Sequence, residues 1–318
     1  MPTLRNLIGV DIGGTKIAIA AVSPAGVILA RTSFPTEPEL GFGRAVDRLA
    51  AAIEQVDGQG SSAVAALGTE SQRRFLDASP PPLGIGIGCA GPVDPRGGLI
   101  NNPFTLTGWD RCDIVRPLAD RFGVPVRLEN DADAAALGEC WVGAGQGVSP
   151  VCMLTFGTGV GGSTVLASGI FRGANGEHPE LGHLLVEPDG PECYCGFRGC
   201  LESIASGTAI GLSGKQIGIE GTPAVFQAAR AGDPGALDIV NRAARAAAAA
   251  AWTLFHTLLP RRLILGGGMM DTEFDTFAGP MRARIERATQ FSPGGIEIVP
   301  AQLGNDAGVI GAAALMLT

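Results

Sequence analysis

Residues 7–22 read LIGVDIGGTKIAIAAV: an apolar run, Asp11, the pair Gly13-Gly14, then Thr15 and Lys16, and a second apolar run. Glycines beside a lysine suggest a phosphate cradle, but the spacing matches neither G-x-x-x-x-G-K-[ST] nor G-x-G-x-x-G, both of which open a helix. The segment IAIAAV after the loop is β-branched and alanine-rich, and it stops at the turn Ser23-Pro24-Ala25-Gly26, so it reads as a strand. The stretch is therefore a glycine-tipped hairpin carrying an Asp on one arm and Thr-Lys on the other.

The pattern returns in the second half. VCMLTFGTGVGGSTVLASGI (151–170) is again strand, glycine loop, strand and small-residue turn. Two domains that each begin with such a hairpin could grip one polyphosphate from both sides. Between and after them, strand and helix alternate, the pattern of an α/β architecture with helices covering a sheet. Strands are expected at about 6–11, 16–22 and 27–33. Phe42, Val46, Leu49, Ile53 and Val56 recur at helical spacing. Residues 57–82 are small and polar and end in three prolines, which reads as a helix fragment flanked by loops, a tolerated insertion. LGIGIGCAG is a buried strand, and VPVRLEN another, feeding a helix in DADAAALGECWVG. The six alanines of a later helix suggest a close-packed face lying on a sheet. That helix stops at Pro260, and the strand RLILGGG follows; DAGVIGAAALML is a last apolar helix.

The 318 residues suit two domains, and 46% hydrophobic residues can bury a large core. No apolar run reaches the roughly 18 residues that span a bilayer, and the apolar stretch after Arg5 is broken at once by Asp11, unlike a signal peptide. A net charge of −8 without any basic run argues against a nucleic-acid surface. The seven cysteines are an odd number without a secretion signal, which points to a reducing, cytoplasmic setting rather than a disulfide framework.

Three constellations carry chemistry. The first is the set of glycine clusters at strand ends: DIGGTK, in which Asp11 could hold a metal ion or its waters; TFGTGVGG, with Thr155 and Thr158; and LILGGGMM. For any one of them the plain alternative is a tight turn needing positive φ. The second is RLENDADAAALGE, which places Asn130 and Asp131 at the first turn of a helix after a buried strand. Asp131 could take a proton from an alcohol that Asn130 orients. By spacing alone, a helix cap is the stronger reading. The third is GEHPELGHLLVEPDGPECYCGFRGCLES, where His183, Cys193, Cys195 and Cys200 form a closed N/S₃ set that suits a structural zinc ion. Glu180 and Glu202 flank it, so the metal would fix two carboxylates able to bind the hydroxyls of a polyol. His178 reads as a loop residue, and His256 as core or surface.

Taken together, DIGGTK, ENDADAAALGE, TFGTGVGG, ELGH, CYCGFRGCLE, LILGGGM and LGNDAGVIGAA resemble the ROK family of bacterial sugar kinases and related repressors, within the actin, Hsp70 and hexokinase superfamily. The resemblance runs from residue 8 to residue 315. It implies an α/β, two-lobed actin-like ATPase (ribonuclease H-like) fold with a central cleft and a structural zinc loop. A small domain of 1–140 would be completed by 304–318, and a larger domain of 141–303 would carry the zinc loop 180–202. It implies that Asp11, Gly13, Gly14, Thr15 and Lys16 form one phosphate loop, that Thr158 and Gly159 belong to a second, and that Gly266, Gly267 and Gly268 lie on the adenosine side. Asp131 becomes the base that deprotonates a sugar hydroxyl as it attacks the γ-phosphorus of ATP, with Mg²⁺ as co-reactant. Asn130, Glu180, His183 and Glu202 hold the other hydroxyls, while His183, Cys193, Cys195 and Cys200 bind Zn²⁺. The lobes would close over sugar and nucleotide and so exclude water. Thr105, in NNPFTLTGW, stands where many relatives carry Asn, and HPELGH is similar to fructokinase-like members. Glucose is the first expectation for the substrate, ahead of N-acetylmannosamine, N-acetylglucosamine and fructose. A homodimer is implied by the family. A repressor would need a DNA-binding module before the first strand, for which the start near residue 6 leaves no room, and a sensor without catalysis is opposed by the presence of Asp131 and Lys16.

Overall fold

The computed structural model describes residues 6–67, 82–287 and 295–318. It divides into two compact units: 1–146 with 172–178 and 306–318, and 147–171 with 179–305.

The first unit is built on strands β1 (Leu7–Ile12), β2 (Lys16–Val22), β3 (Ile28–Pro35) and β4 (Ile85–Cys89). A small ribbon of β5 (Val93–Asp94), β6 (Leu99–Ile100) and β7 (Cys112–Asp113) follows, then β8 (Val126–Asn130) returns to the main sheet. The sheet order is β3-β2-β1-β4-β8, with β1/β2 and β2/β3 antiparallel and β1/β4 and β4/β8 parallel. Its helices are α1 (Phe42–Leu67), α2 (Val115–Phe122) and α3 (Asp131–Val142). Ile8, Val10, Ile17, Ile19, Leu49, Ile53, Ile87 and Trp109 meet in one buried cluster under α1.

The helix read as ending near Val56 continues to Leu67, so 57–67 belong to α1 and are not a separate fragment. Gly60 has a packing role there: a Cβ on it would stand 2.8 Å from the Ala21 Cβ of β2 and 3.0 Å from Asn6 Nδ2. Glycine lets the helix close on the sheet at that point. Residues 68–81, the rest of the expected insertion, lie outside the described residues.

The second unit repeats the plan. Its strands β9 (Val151–Phe156), β10 (Val160–Leu166), β11 (Gly169–Ile170), β12 (Arg262–Gly266) and β13 (Glu297–Pro300) run in the order β11-β10-β9-β12-β13, again an antiparallel meander followed by parallel strands. The helices are α4 (Glu202–Ala205), α5 (Gly207–Gln216), α6 (Thr222–Arg230), α7 (Pro234–Leu258) and α8 (Met270–Glu286). In α7 the alanine run is buried on nearly every side, with Ala243, Ala247, Ala250 and Ala251 wholly inaccessible. It packs against α4, α5, α6 and α8 and, as expected, shares one buried cluster with Leu154, Leu263 and Leu265 of the sheet. Small side chains let several helices approach one axis, and a single sheet-facing stripe would not have needed so many.

The chain ends in α9 (Ala307–Ala314), which returns to the first unit and packs on α3 and β1. The contact is backbone to backbone: a Cβ at Gly311 would fall 1.7 Å from the Ala134 carbonyl oxygen, and one at Gly9 would fall 1.9 Å from that of Val309.

Candidate active site

In the first unit, the register of the parallel strands decides what meets what. Asp11 pairs with Gly88 and Gly88 with Glu129; one step on, Ile12 pairs with Cys89 and Cys89 with Asn130. The carboxyl ends of β1, β4 and β8 thus form one edge, two strand spacings or about 10 Å wide. The hairpin tip Gly13–Thr15 and the first turn of α3 both open from it. Carboxyl edges of parallel strands are where α/β sheets place their ligands.

The hairpin tip is closed by Gly13 N–H donating to the Lys16 carbonyl at 3.0 Å. Neither Gly13 nor Gly14 has positive φ, so the turn-geometry explanation for these glycines fails. Crowding is the reason instead, since a Cβ at Gly14 would stand 3.1 Å from Thr105 Cβ. Thr36, which gave no signal in the sequence, pins the tip twice: its N–H donates to the Thr15 carbonyl at 3.1 Å and its hydroxyl to that of Gly13 at 2.7 Å. Thr105 is set by the buried Asn102, whose Nδ2 donates to the Thr105 hydroxyl at 2.7 Å and whose Oδ1 takes the N–H groups of Phe104 and Thr105 at 3.0 Å. The loop is anchored at its far end by Trp109, fully buried and edge-on to Phe42.

Asn130 is the cap of α3, accepting from Ala132 N at 2.9 Å and Asp133 N at 3.3 Å. The capping duty is thereby discharged by its neighbour, and Asp131 is left with one helix N–H, from Ala132 at 2.8 Å. Burial raises the Asp131 carboxyl to about 6, with the Asp11 charge adding to the rise and the Ala132 N–H and His178 opposing it. Asp11 is likewise raised to about 6 by burial, against the pull of Lys16. The thiol of Cys89, between them on β4, is pushed well up by burial and by both carboxylates.

His178 lies in a loop, as expected, but its side chain is not idle. Its Nδ1 lies 2.7 Å from Asp133 Oδ2, in a buried group completed by Arg172 and Glu129. Among these Asp133 is wholly inaccessible and Glu129 nearly so. Their partners are 39 and 45 residues apart, which no local pattern could show.

In the second unit, the tip Gly157–Gly159 joins β9 to β10, and Gly266 pairs with Thr155 on the neighbouring parallel strand, so the 157–159 and 266–268 loops share one sheet edge. The exposed Thr158 offers its side chain while its carbonyl is held by Thr208, N–H at 3.2 Å and hydroxyl at 2.8 Å. Gly267 does need glycine: φ is +86° and a Cβ would stand 2.4 Å from the Phe156 carbonyl oxygen. Gly268 leads into α8, whose start is held by the Met269 N–H donating to the Phe156 carbonyl at 3.2 Å and the Met270 N–H to that of Gly267 at 2.8 Å.

His183, Cys193, Cys195 and Cys200 converge, with all their ligand atoms within 4.8 Å of one another. Cys193 Sγ is 3.5 Å from His183 Nδ1, and Cys195 Sγ is 3.6 Å from Cys200 Sγ. Ligands about 2.3 Å from a tetrahedral zinc are roughly 3.8 Å apart, so the set fits that ion. Burial pushes Cys193 up and Cys200 up to about 12, while the Phe197 N–H lowers Cys195. Thiols this crowded shed their protons together only for a cation. With Nδ1 turned to the thiols, Nε2 of His183 belongs to the opposite side of the ring. Glu202 reaches back to the hairpin, Oε2 accepting from Val160 N at 2.8 Å, and the exposed Glu180 precedes the short 3₁₀ turn Leu181–His183. Tyr194 packs edge-on against His183, ring centroids 5.2 Å apart.

The sequence matches the ROK family over residues 7–318. It is 36% identical to a glucokinase of Thermotoga maritima, covering 99% of this chain and 98% of that protein. Among solved structures, a ROK hexokinase from Thermus thermophilus superposes with a TM-score of 0.83 at 33% identity, covering 97% of both chains. A ROK family glucokinase from Streptomyces griseus in complex with glucose and AMPPNP superposes with a TM-score of 0.73 at 34% identity, covering 98% of both. The fold is therefore the α/β fold of the two-lobed actin-like ATPases. Within that class, the chain belongs to the ROK family.

Proposed function

We propose that the protein is an ATP-dependent sugar kinase that transfers the γ-phosphoryl group to glucose, at O6. The observation that carries this reading is the common edge of β1, β4 and β8, from which the glycine hairpin tip and the helix turn bearing Asp131, its carboxyl raised to about 6, both open. The similarity to glucokinases over nearly the whole chain supports glucose over other hexoses.

Asp131 takes the proton of the O6 hydroxyl as that oxygen bonds to the γ-phosphorus and the bond to the β-phosphate oxygen breaks, releasing ADP. Asn130, Glu180, His183 and Glu202 hold the remaining hydroxyls. Asp11, Gly13, Gly14, Thr15 and Lys16 form one phosphate loop, Thr158 and Gly159 belong to a second, and Gly266, Gly267 and Gly268 border the adenosine. Transfer of this kind needs positioning and charge neutralisation more than covalent help. Mg²⁺ bound with ATP would neutralise phosphate charge, and Asp11 is the carboxylate that would hold it or its waters. His183, Cys193, Cys195 and Cys200 would hold a structural Zn²⁺, which would keep Glu180 and Glu202 in place. The protein works in the cytoplasm as a homodimer, with sugar and MgATP as its partners.

Coupled measurement of ADP release with glucose, N-acetylmannosamine, N-acetylglucosamine and fructose tests the reading. Glucose is expected to give the highest kcat/KM. Absence of sugar-dependent ADP release with all four would favour a binding protein, and a clear preference for another sugar would reassign the substrate.

A further inference from the structure

Glu129, at the end of β8, and Asp133, in the first turn of α3, flank the two residues assigned to proton transfer and sugar orientation. Both are buried acids, and one side chain bridges them: Arg172 pairs through Nη2 with Glu129 Oε2 and through Nη1 with Asp133 Oδ2. The second Glu129 oxygen accepts the N–H of Asn130 at 2.7 Å. His178 adds a contact to the same Asp133 oxygen at 2.7 Å and lies 3.5 Å from Arg172 Nη1. Arg172 and His178 are the two ends of a segment that belongs to the first unit although the chain on either side belongs to the second. The segment is tied into a loop of its own. Gly173 N–H donates to the Glu177 carbonyl at 2.9 Å, and the Glu177 carboxylate takes Asn175 N at 2.9 Å and Asn175 Nδ2 at 2.7 Å. Those bonds bring its ends together so that both reach one acid.

Stability does not account for such a group. Burying two carboxylates against one guanidinium and an imidazole costs desolvation that an apolar set of the same volume would avoid. What the group does is span residues 129 and 133, staple-fashion, across the strand-to-helix turn that carries Asn130 and Asp131. We propose that Arg172 and His178 are positioning residues for phosphoryl transfer, a strap clamped on Glu129 and Asp133 that holds the turn bearing the base in its working geometry. The inference rests on the kinase reading above and adds to it a device that acts through Asp131 without touching the sugar or nucleotide.

The test compares wild type, Arg172→Met, Arg172→Lys and His178→Gln by steady-state kinetics with glucose and ATP, with the melting temperature of each. Misplacing a reacting group by a fraction of an ångström to an ångström costs up to about 100-fold in rate. Arg172→Met is therefore expected to lower kcat about 10- to 100-fold while the glucose KM stays within about threefold, because Glu180, His183 and Glu202, three of the four side chains assigned to the other sugar hydroxyls, lie outside the strapped turn. Arg172→Lys should recover part of the loss, since an ammonium keeps the charge but cannot fork to two acids. His178→Gln, which can still donate to Asp133, should lower kcat about threefold to tenfold. Wild-type kcat in Arg172→Met, or equal losses in Met and Lys variants that track the folded fraction, would overturn the strap. If Arg172→Met does not fold, unchanged kcat in His178→Gln overturns it alone. Lack of glucose-dependent turnover in the wild type sinks the kinase reading itself, an outcome distinct from a silent strap in an active enzyme.

Discussion

At the residue scale the decisive side chain is Asp131, and its chemistry follows from having a neighbour that does its structural work. Asn130 caps the helix, so the next carboxyl can be buried half-satisfied and raised to about 6. As a base it must be ionised, so kcat/KM for glucose should fall as pH drops through about 6, tenfold per unit once well below it. A flat profile from pH 7 to pH 5 would contradict this. The same shift has a stability consequence of opposite sense. A carboxyl raised in the folded state stabilises the fold fully only below its unfolded value of 3.8, and that contribution is lost as pH rises through about 6. At pH 8 the ionised group therefore costs on the order of 2–3 kcal/mol. Asp131→Asn should lower kcat by about 10³-fold or more, yet melt higher than wild type at pH 8 and no higher at pH 4. Near-normal turnover in that variant, or a lower melting temperature at pH 8, would remove Asp131 from its role.

At the scale of elements, what the sequence made legible was whatever is written locally. The C-x-C-x₄-C spacing lies within eight residues, and His183 precedes it by ten, so a metal loop could be read off directly and the four side chains do converge. Both hairpins were legible because their glycines sit between alternating apolar runs. The same residue type misled at Gly60, where low side-chain content signalled a loop but served the approach of a helix to its sheet. The Arg172–His178 segment could not be found at all, because its meaning lies in acids about 40 residues upstream, Glu129 in a strand and Asp133 in a helix's first turn, that look ordinary where they stand. Two element-scale outcomes can be measured. Cys195→Ser should lose bound zinc and melting temperature together, checked by metal analysis on the purified protein; retained zinc at one ion per chain would contradict the ligand set. Gly267→Ala should weaken ATP binding and destabilise the 266–268 loop, since it must give up φ +86° or clash with the Phe156 carbonyl. The expected cost is about 1–3 kcal/mol. An unchanged ATP KM would show that the loop is not on the nucleotide side.

At the scale of the whole molecule, the two sheets have the same strand order and put their glycine tips at matching places, yet they carry different reagents. On the proposed assignment the first unit holds the base and one phosphate loop, and the second holds the second phosphate loop, the 266–268 loop and the carboxylates beside the metal ligands. If that division of labour is right, sugar affinity and chemical competence are separable by mutation. Most proposed sugar contacts, Glu180, His183 and Glu202, are in the unit without the base, so Asp131→Ala should still be stabilised by glucose. A ligand that binds only the folded state at 100 times its Kd adds about 2.7 kcal/mol, visible as a melting shift of a few degrees for a chain this long. The Asp131→Ala variant should keep most of that shift while losing turnover, whereas Glu180→Gln with Glu202→Gln should lose the shift even with Asp131 intact. Asp131→Ala abolishing the glucose shift, with the double variant keeping it, would place sugar recognition in the first unit and overturn the assignment of the metal loop to the substrate.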